Sequence, residues 1–165
     1  MKKLILVRHA KSDWGHDGLK DIDRPINQRG YNDAYDMSNW FGEHHDKPDM
    51  IVTSDATRAL STALIFSRLF EFGAEKVLMV PEIYESDVKT LKACIAALDN
   101  KANSVMLFGH NPGITNLANE LCADMDFDNI PTTGMVAIQF DVKTWKDAVN
   151  TQGKTIFYRY PKEFK

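Results

Sequence analysis

Short aliphatic runs alternate along this chain with longer segments of helical period, and that alternation limits the possible folds more than any other feature. Lys3 to Val7, Met50 to Thr53, Lys76 to Val80 and Ser104 to Phe108 read as strands. Between them, Arg29 to Glu43, Thr57 to Phe70, Val88 to Leu98 and Gly113 to Leu121 repeat apolar residues every three or four positions, the stripe of a helix with one buried face. Strand, helix, strand in succession predicts an α/β fold, a three-layer α/β/α sandwich around a mostly parallel sheet. Two later runs, Met135 to Phe140 and Thr155 to Tyr160, have no long helix between them, and Asp147 to Gly153 reads as a polar turn. They predict a hairpin at a sheet edge. The longest loop is Lys11 to Gln28, rich in Asp and Gly.

Composition narrows the function. The 165 residues suit one domain, 1–165, that buries about 70% of its unfolded surface without a disulfide or metal staple. A net charge of −3 argues against a nucleic-acid partner, which would require a basic face, so any anion binding must be local. Cys94 and Cys122 form no CxxC pair and are expected to be reduced, buried thiols. Lys2-Lys3 precedes only four aliphatics, and no apolar run approaches membrane-spanning length, so a cytoplasmic protein with no membrane partner is expected.

Open α/β sheets bind ligands outside the carboxyl ends of their parallel strands, and the polar residues of this chain fall there. Arg8-His9 closes the first strand, Thr53-Ser54 to Arg58 leaves the second, Glu82 and Glu85 follow the third, and Gly109 to Gly113 follows the fourth. Each has a plainer alternative: Arg58 pairing with Asp55, His110 as a hydrogen-bonded loop residue, Arg24 pairing with Asp21 or Asp23. Two guanidiniums aimed at one spot favour a phosphate dianion, whose oxygens match their planar forks. The Asn111-Pro112-Gly113 turn is expected to add the N–H groups of a helix start. A neutral histidine attacks phosphorus in line, so His9 is the expected nucleophile, with Arg8 and Arg58 lowering its pKa. The same arginines and His110 would stabilise charge on the transferring phosphoryl group, with no metal and no cofactor. Asp21, Asp23 and Asp33 are expected to be solvated or capping, and His44-His45 to be a solvated helix end.

Leu6-Val7-Arg8-His9-Ala10, Arg24-Pro25-Ile26 with Gly30, Thr53-Ser54 to Arg58-Ala59 with Thr62, Gly109 to Gly113 and Thr132-Thr133-Gly134 together resemble the histidine phosphatase superfamily. Their order and spacing are similar to those of its short SixA-type phosphohistidine phosphatases, with Ala10 where the superfamily motif has glycine. The resemblance implies a phosphoglycerate mutase-like fold, with His9 phosphorylated and Arg8, Arg58 and His110 forming the phosphate pocket. It implies a substrate-side role for Arg24 at the rim with Trp14, and it places Asn111 beside the phosphate. In larger members a glutamate after the third strand protonates the leaving group, and Ile83-Tyr84-Glu85 resembles that position, making Glu85 the expected acid over its neighbours Glu82 and Asp87. The implied substrate is phosphohistidine on a carrier protein. Alternatives are a small phosphomonoester, or phosphoprotein binding without turnover.

Overall fold

The computed structural model describes residues 1–15 and 17–164; His16, in the long loop, and Lys165 lie outside them. Strands β1 (Lys2–Arg8), β2 (Met50–Thr53), β3 (Val77–Met79), β4 (Ser104–Gly109), β5 (Met135–Phe140) and β6 (Lys154–Arg159) form one sheet. Helices α1 (Gln28–His44), α2 (Thr57–Leu69), α3 (Val88–Ala96), α4 (Gly113–Leu121) and α5 (Trp145–Val149) connect them. The strand order is β3-β2-β4-β1-β5-β6, with β1 to β4 mutually parallel and β5 antiparallel to both neighbours.

The period of two in a strand explains the three layers. Leu4 and Leu6 of β1 pack with Leu91 and Ile95 of α3 and Leu117 of α4. Ile5 and Val7 point the other way, onto Met37 and Phe41 of α1 and Phe66 of α2. All four strand residues are fully buried, and each such side chain contributes about 1.5–3 kcal/mol of transfer free energy.

Three elements depart from the sequence expectation. Strand β3 is shorter, because Lys76 belongs to a 3-10 turn and Val80 donates its N–H to the Thr53 carbonyl outside the ladder. Helix α3 stops at Ala96. The β5–β6 pair does form the sheet edge, but its connection carries helix α5, whose start is capped by the Thr144 side chain and anchored by fully buried Trp145. The three-residue spacing of Thr144 and Asp147 held that signal in a segment too short to show a period. Cys94 is half-buried rather than buried, and Cys122 is buried; both thiols are free.

The Lys11–Gln28 loop is a closed excursion. Ser12 and Ile26 form an antiparallel bridge at its base, the Asn27 N–H donates to the Lys11 carbonyl, and residues Asp21–Asp23 form a 3-10 turn at its far side. Helix α1 passes so close to this base that a Cβ at Gly30 would lie 2.3 Å from the Lys11 carbonyl oxygen, so only glycine fits. The loop therefore folds back over the carboxyl end of β1.

Candidate active site

Strand register sets the level of the site. Arg8 pairs with Gly109 and Thr53 with Phe108, so the residues that follow β1, β2 and β4 emerge side by side. The His9 N–H donates to the Gly109 carbonyl and the Ser54 N–H to the Phe108 carbonyl, extending the ladder by one step. Two further contacts fix the first strand's end. Thr62 of α2 accepts from the Ala10 N–H at 2.9 Å and donates to the Arg58 carbonyl, and the Thr133 N–H reaches the carbonyls of Arg8 and His9.

Arg8, His9, Arg24, Arg58, Glu85, His110 and Asn111 all line one pocket of about 300 Å³, together with Lys11, Ser12, Trp14, Asp21 and Thr132. Its walls are made of the loops after β1, β2, β3 and β4. Glu82 lines a different, apolar groove beside α3, and Asp87 caps α3 by accepting from the Thr90 N–H.

The two imidazoles lie at the floor, 7% and 8% exposed, with ring centroids 5.1 Å apart. His9 Nδ1 is 2.8 Å from the Ala10 carbonyl oxygen, which can only accept. Nδ1 therefore carries the proton, and the Nε2 lone pair is free for attack. Burial, more than charge, depresses the His9 pKa to about 3, with His110, Arg58 and Arg8 adding to the effect. This corrects the sequence expectation, which gave the arginines the leading part. Burial, then Arg58, brings His110 down to about 4. Both rings are neutral at pH 7.

His110 Nε2 lies 2.9 Å from Ser54 Oγ, which accepts from the Ala56 N–H. The Ser54 hydroxyl can donate to His110 Nε2, an arrangement that keeps the ring proton on Nδ1. Among the described residues, His110 Nδ1, Arg8 Nε and Arg58 Nε are buried without a hydrogen-bond partner. An unmet buried donor costs about 1–3 kcal/mol, and three of them on residues lining one pocket suit an oxyanion. Arg8 Nη1 donates to the Ile130 carbonyl at 3.0 Å, which braces the guanidinium.

Asp21 is the main residue that sequence reasoning missed. Its side chain is 39% exposed, yet it is the hub of a network: Oδ1 accepts from Arg24 Nε at 2.9 Å, Oδ2 from Arg58 Nη2 at 3.1 Å, and the Tyr84 hydroxyl also donates to Oδ2. The Tyr84 hydrogen bond, then those from Arg24 and Arg58, hold its carboxyl well below the usual carboxylate range. Burial, then Asp21, pushes the Tyr84 phenol up to about 12. Tyr84 also sets its ring edge-on to His110. The Asp21 to Arg24 spacing carried part of this signal; the partners 37 and 63 residues away carried none in the sequence.

Arg24 makes its loop salt bridge and more, donating Nη1 to Ser12 Oγ and stacking 3.5 Å from the ring centre of Trp14. Asn111 lines the pocket, yet its amide is committed to structure: Nδ2 donates to Asn129 and Ile130, and Oδ1 accepts from the Thr115 N–H and hydroxyl. The start of α4 is thus capped internally, with the Ile114 N–H on the His110 carbonyl, and the expected reserve of N–H groups for an anion is reduced accordingly. Glu85 is exposed at the mouth of the pocket, with φ 53° in the left-handed region. His44 and His45 stack on Trp40 and Phe157 far along α1, as a helix end.

Comparisons with known proteins bear on the fold and the family. A candidate phosphohistidine phosphatase SixA from Agrobacterium tumefaciens superposes with a TM-score of 0.81 at 26% identity, covering 97% of this chain and 98% of that one. Another from Nakamurella multipartitia gives 0.84 at 23% identity, covering 97% and 96%, and shares the fold. An uncharacterized chloroplastic protein of Arabidopsis thaliana is 26% identical over 169 residues, 92% of this chain and 72% of its own length. The sequence profile of the histidine phosphatase superfamily (branch 1) matches residues 4–93, from the core of β1 through Arg8, His9 and Arg58 and into α3, and the chain belongs to that superfamily.

Proposed function

We propose that this chain, as one catalytic domain over 1–165, is a phosphatase that works through a phosphohistidine on His9, with phosphohistidine on a carrier protein as its substrate class. The observation that carries this reading is the His9 ring, neutral, with Nδ1–H held by the Ala10 carbonyl and Nε2 free in a pocket lined by Arg8, Arg58 and His110.

Nε2 attacks phosphorus in line while the bond to the leaving group breaks. The Ala10 carbonyl then shares the positive charge that develops on the His9 ring. Arg8, Arg58 and the His110 Nδ1–H stabilise the equatorial oxygens, supplying the charge that a metal ion supplies in other phosphoryl-transfer sites. Water then attacks the phosphorus of the phosphohistidine, the P–Nε2 bond breaks with its electron pair returning to Nε2, and inorganic phosphate leaves. Glu85 at the mouth is the group placed to protonate the departing atom or to take a proton from that water.

The substrate class rests on access. Trp14 is 76% exposed and Glu85 is exposed, so the pocket opens directly to solvent and a side chain on a folded partner can reach His9. The likeness to the Agrobacterium candidate SixA over nearly the whole chain supports the same class.

The deciding experiment measures phosphate release, in EDTA, from a phosphohistidine-bearing carrier protein and from an aryl phosphate. The expected result is faster turnover of the carrier, loss of both activities in His9→Ala, and an acid-labile phosphoenzyme trapped on His9. A preference for the aryl ester or a sugar phosphate would favour a small-molecule phosphatase, and phosphate binding without turnover would replace catalysis by recognition.

A further inference from the structure

The pocket contains more positive charge than it offers. Arg8, Lys11, Arg24 and Arg58 face Asp21 and Glu85, so with neutral histidines the net charge is two positive units, the complement of one phosphate dianion. Two of the four cations are tied to one carboxylate. Asp21 bonds Arg24 and Arg58 simultaneously, with Tyr84 holding it from a third side. Arg24 Nη1 is further bound to Ser12 Oγ and the Asp13 carbonyl, which fixes the guanidinium in place against Asp21.

We propose that Asp21 is a specificity-determining residue: by pairing with Arg24 and Arg58 and offsetting one of their two charges it fits the pocket to a phosphoryl group on an uncharged leaving group, such as an imidazole ring, and against small esters that carry a carboxylate beside the phosphate. The proposal rests on the functional reading above and deepens it. A carboxylate on the leaving group would lie near the rim, next to Asp21, where like charges repel and Arg24 and Arg58 are already paired.

The test separates selectivity from catalysis by measuring binding. Phenylphosphonate and 4-carboxyphenylphosphonate are titrated calorimetrically into wild type, Asp21→Asn and Asp21→Glu, at a pH where both phosphonates are dianions. Hydrolysis of phenyl phosphate is followed alongside. Asp21→Asn is expected to shift the affinity ratio about five- to tenfold toward the carboxylated ligand, the effect of one unit charge at rim distance in a partly screened site. Asp21→Glu is expected to keep the wild-type ratio, and added salt to shrink the shift. A ratio unchanged within about twofold in Asp21→Asn, or an equal shift in Asp21→Glu, would overturn the role. If Asp21→Asn does not fold, wild type decides: a selective gain for the carboxylated ligand at low ionic strength would reveal an unpaired rim cation and overturn it. No gain upholds it. Absence of phenyl phosphate and carrier hydrolysis with the expected binding ratios would strike the phosphatase reading and leave the charge selection standing.

Discussion

Strand β1 begins on a buried cation and ends on a half-buried one, and its two ends are built for different purposes. Lys2 is 1% exposed, yet its ammonium is fully served: it donates to the Asn100 and Ala102 carbonyls and Asn103 Oδ1, and lies 5.5 Å from the centre of the Trp145 ring. Six residues later the strand delivers Arg8, and beside it His9, Arg58 and His110, where three ring or guanidinium nitrogens are buried without partners. The lesson is that burial of a cation does not mark a site. Unmet donors clustered on one pocket do, because a protein gains no stability from leaving them so and a ligand can satisfy them.

The comparison can be broken at either end. The largest effect is expected from His9→Ala, which should lower the rate of phosphate release by about four orders of magnitude or more, while circular dichroism shows the fold retained. Arg58→Ala should cost about 10²- to 10³-fold in kcat, the size seen when one preorganised charge donor is lost. Inorganic phosphate or tungstate at about a hundredfold over its Kd should raise unfolding free energy by about 2.7 kcal/mol in wild type, and much less in Arg58→Ala. At the other end, Lys2→Met should cost about 2 kcal/mol, seen as a fall in Tm of about 5 °C, with kcat/KM unchanged within about twofold. A large activity loss there would erase the distinction between the two ends.

The smallest effect is a pH slope. The unfolded chain protonates its histidines near the ordinary value of 6.5, whereas His9 and His110 hold off protonation to about 3 and about 4. Between these limits the unfolded state binds more protons, so stability is complete above about pH 6.5 and falls as the pH drops toward 4. Denaturant midpoints across that range should show a shallower slope in His9→Ala than in wild type. Nitrogen NMR of the imidazoles should show both rings neutral at pH 5.5; a His9 that titrates near 6.5 would remove the burial effect on which the slope rests.

Much of the architecture was legible because its signals are local. The Leu4-Ile5-Leu6-Val7 run is buried on both faces, as a central parallel strand requires, and β2, α4 and β5 have the bounds the pattern gave. Helix α5 was not legible, since five residues cannot display a 3.6 period. Arg8, His9, Arg58 and His110 could be brought together on paper because each follows a parallel strand, and parallel strands in one sheet end at one edge. The proposed acid was harder: Glu85 follows the right strand, but its exposure and its left-handed backbone have no signal in the local sequence.

By itself, then, the sequence determined the layered sheet, the edge at which polar residues gather, and the pairing of two arginines with two histidines there, since all of these follow from periodicity and from where runs stop. Tertiary structure alone decided how the charges are shared. The Ser12–Ile26 bridge closes a loop that carries Asp21 onto Arg58 and Tyr84, the Ala10 carbonyl selects the His9 tautomer, and Asn111 is drawn away to the 129–130 segment and Thr115. Those choices depend on contacts between segments far apart in the chain, whose geometry is fixed only when the loops close and the core beneath them is packed.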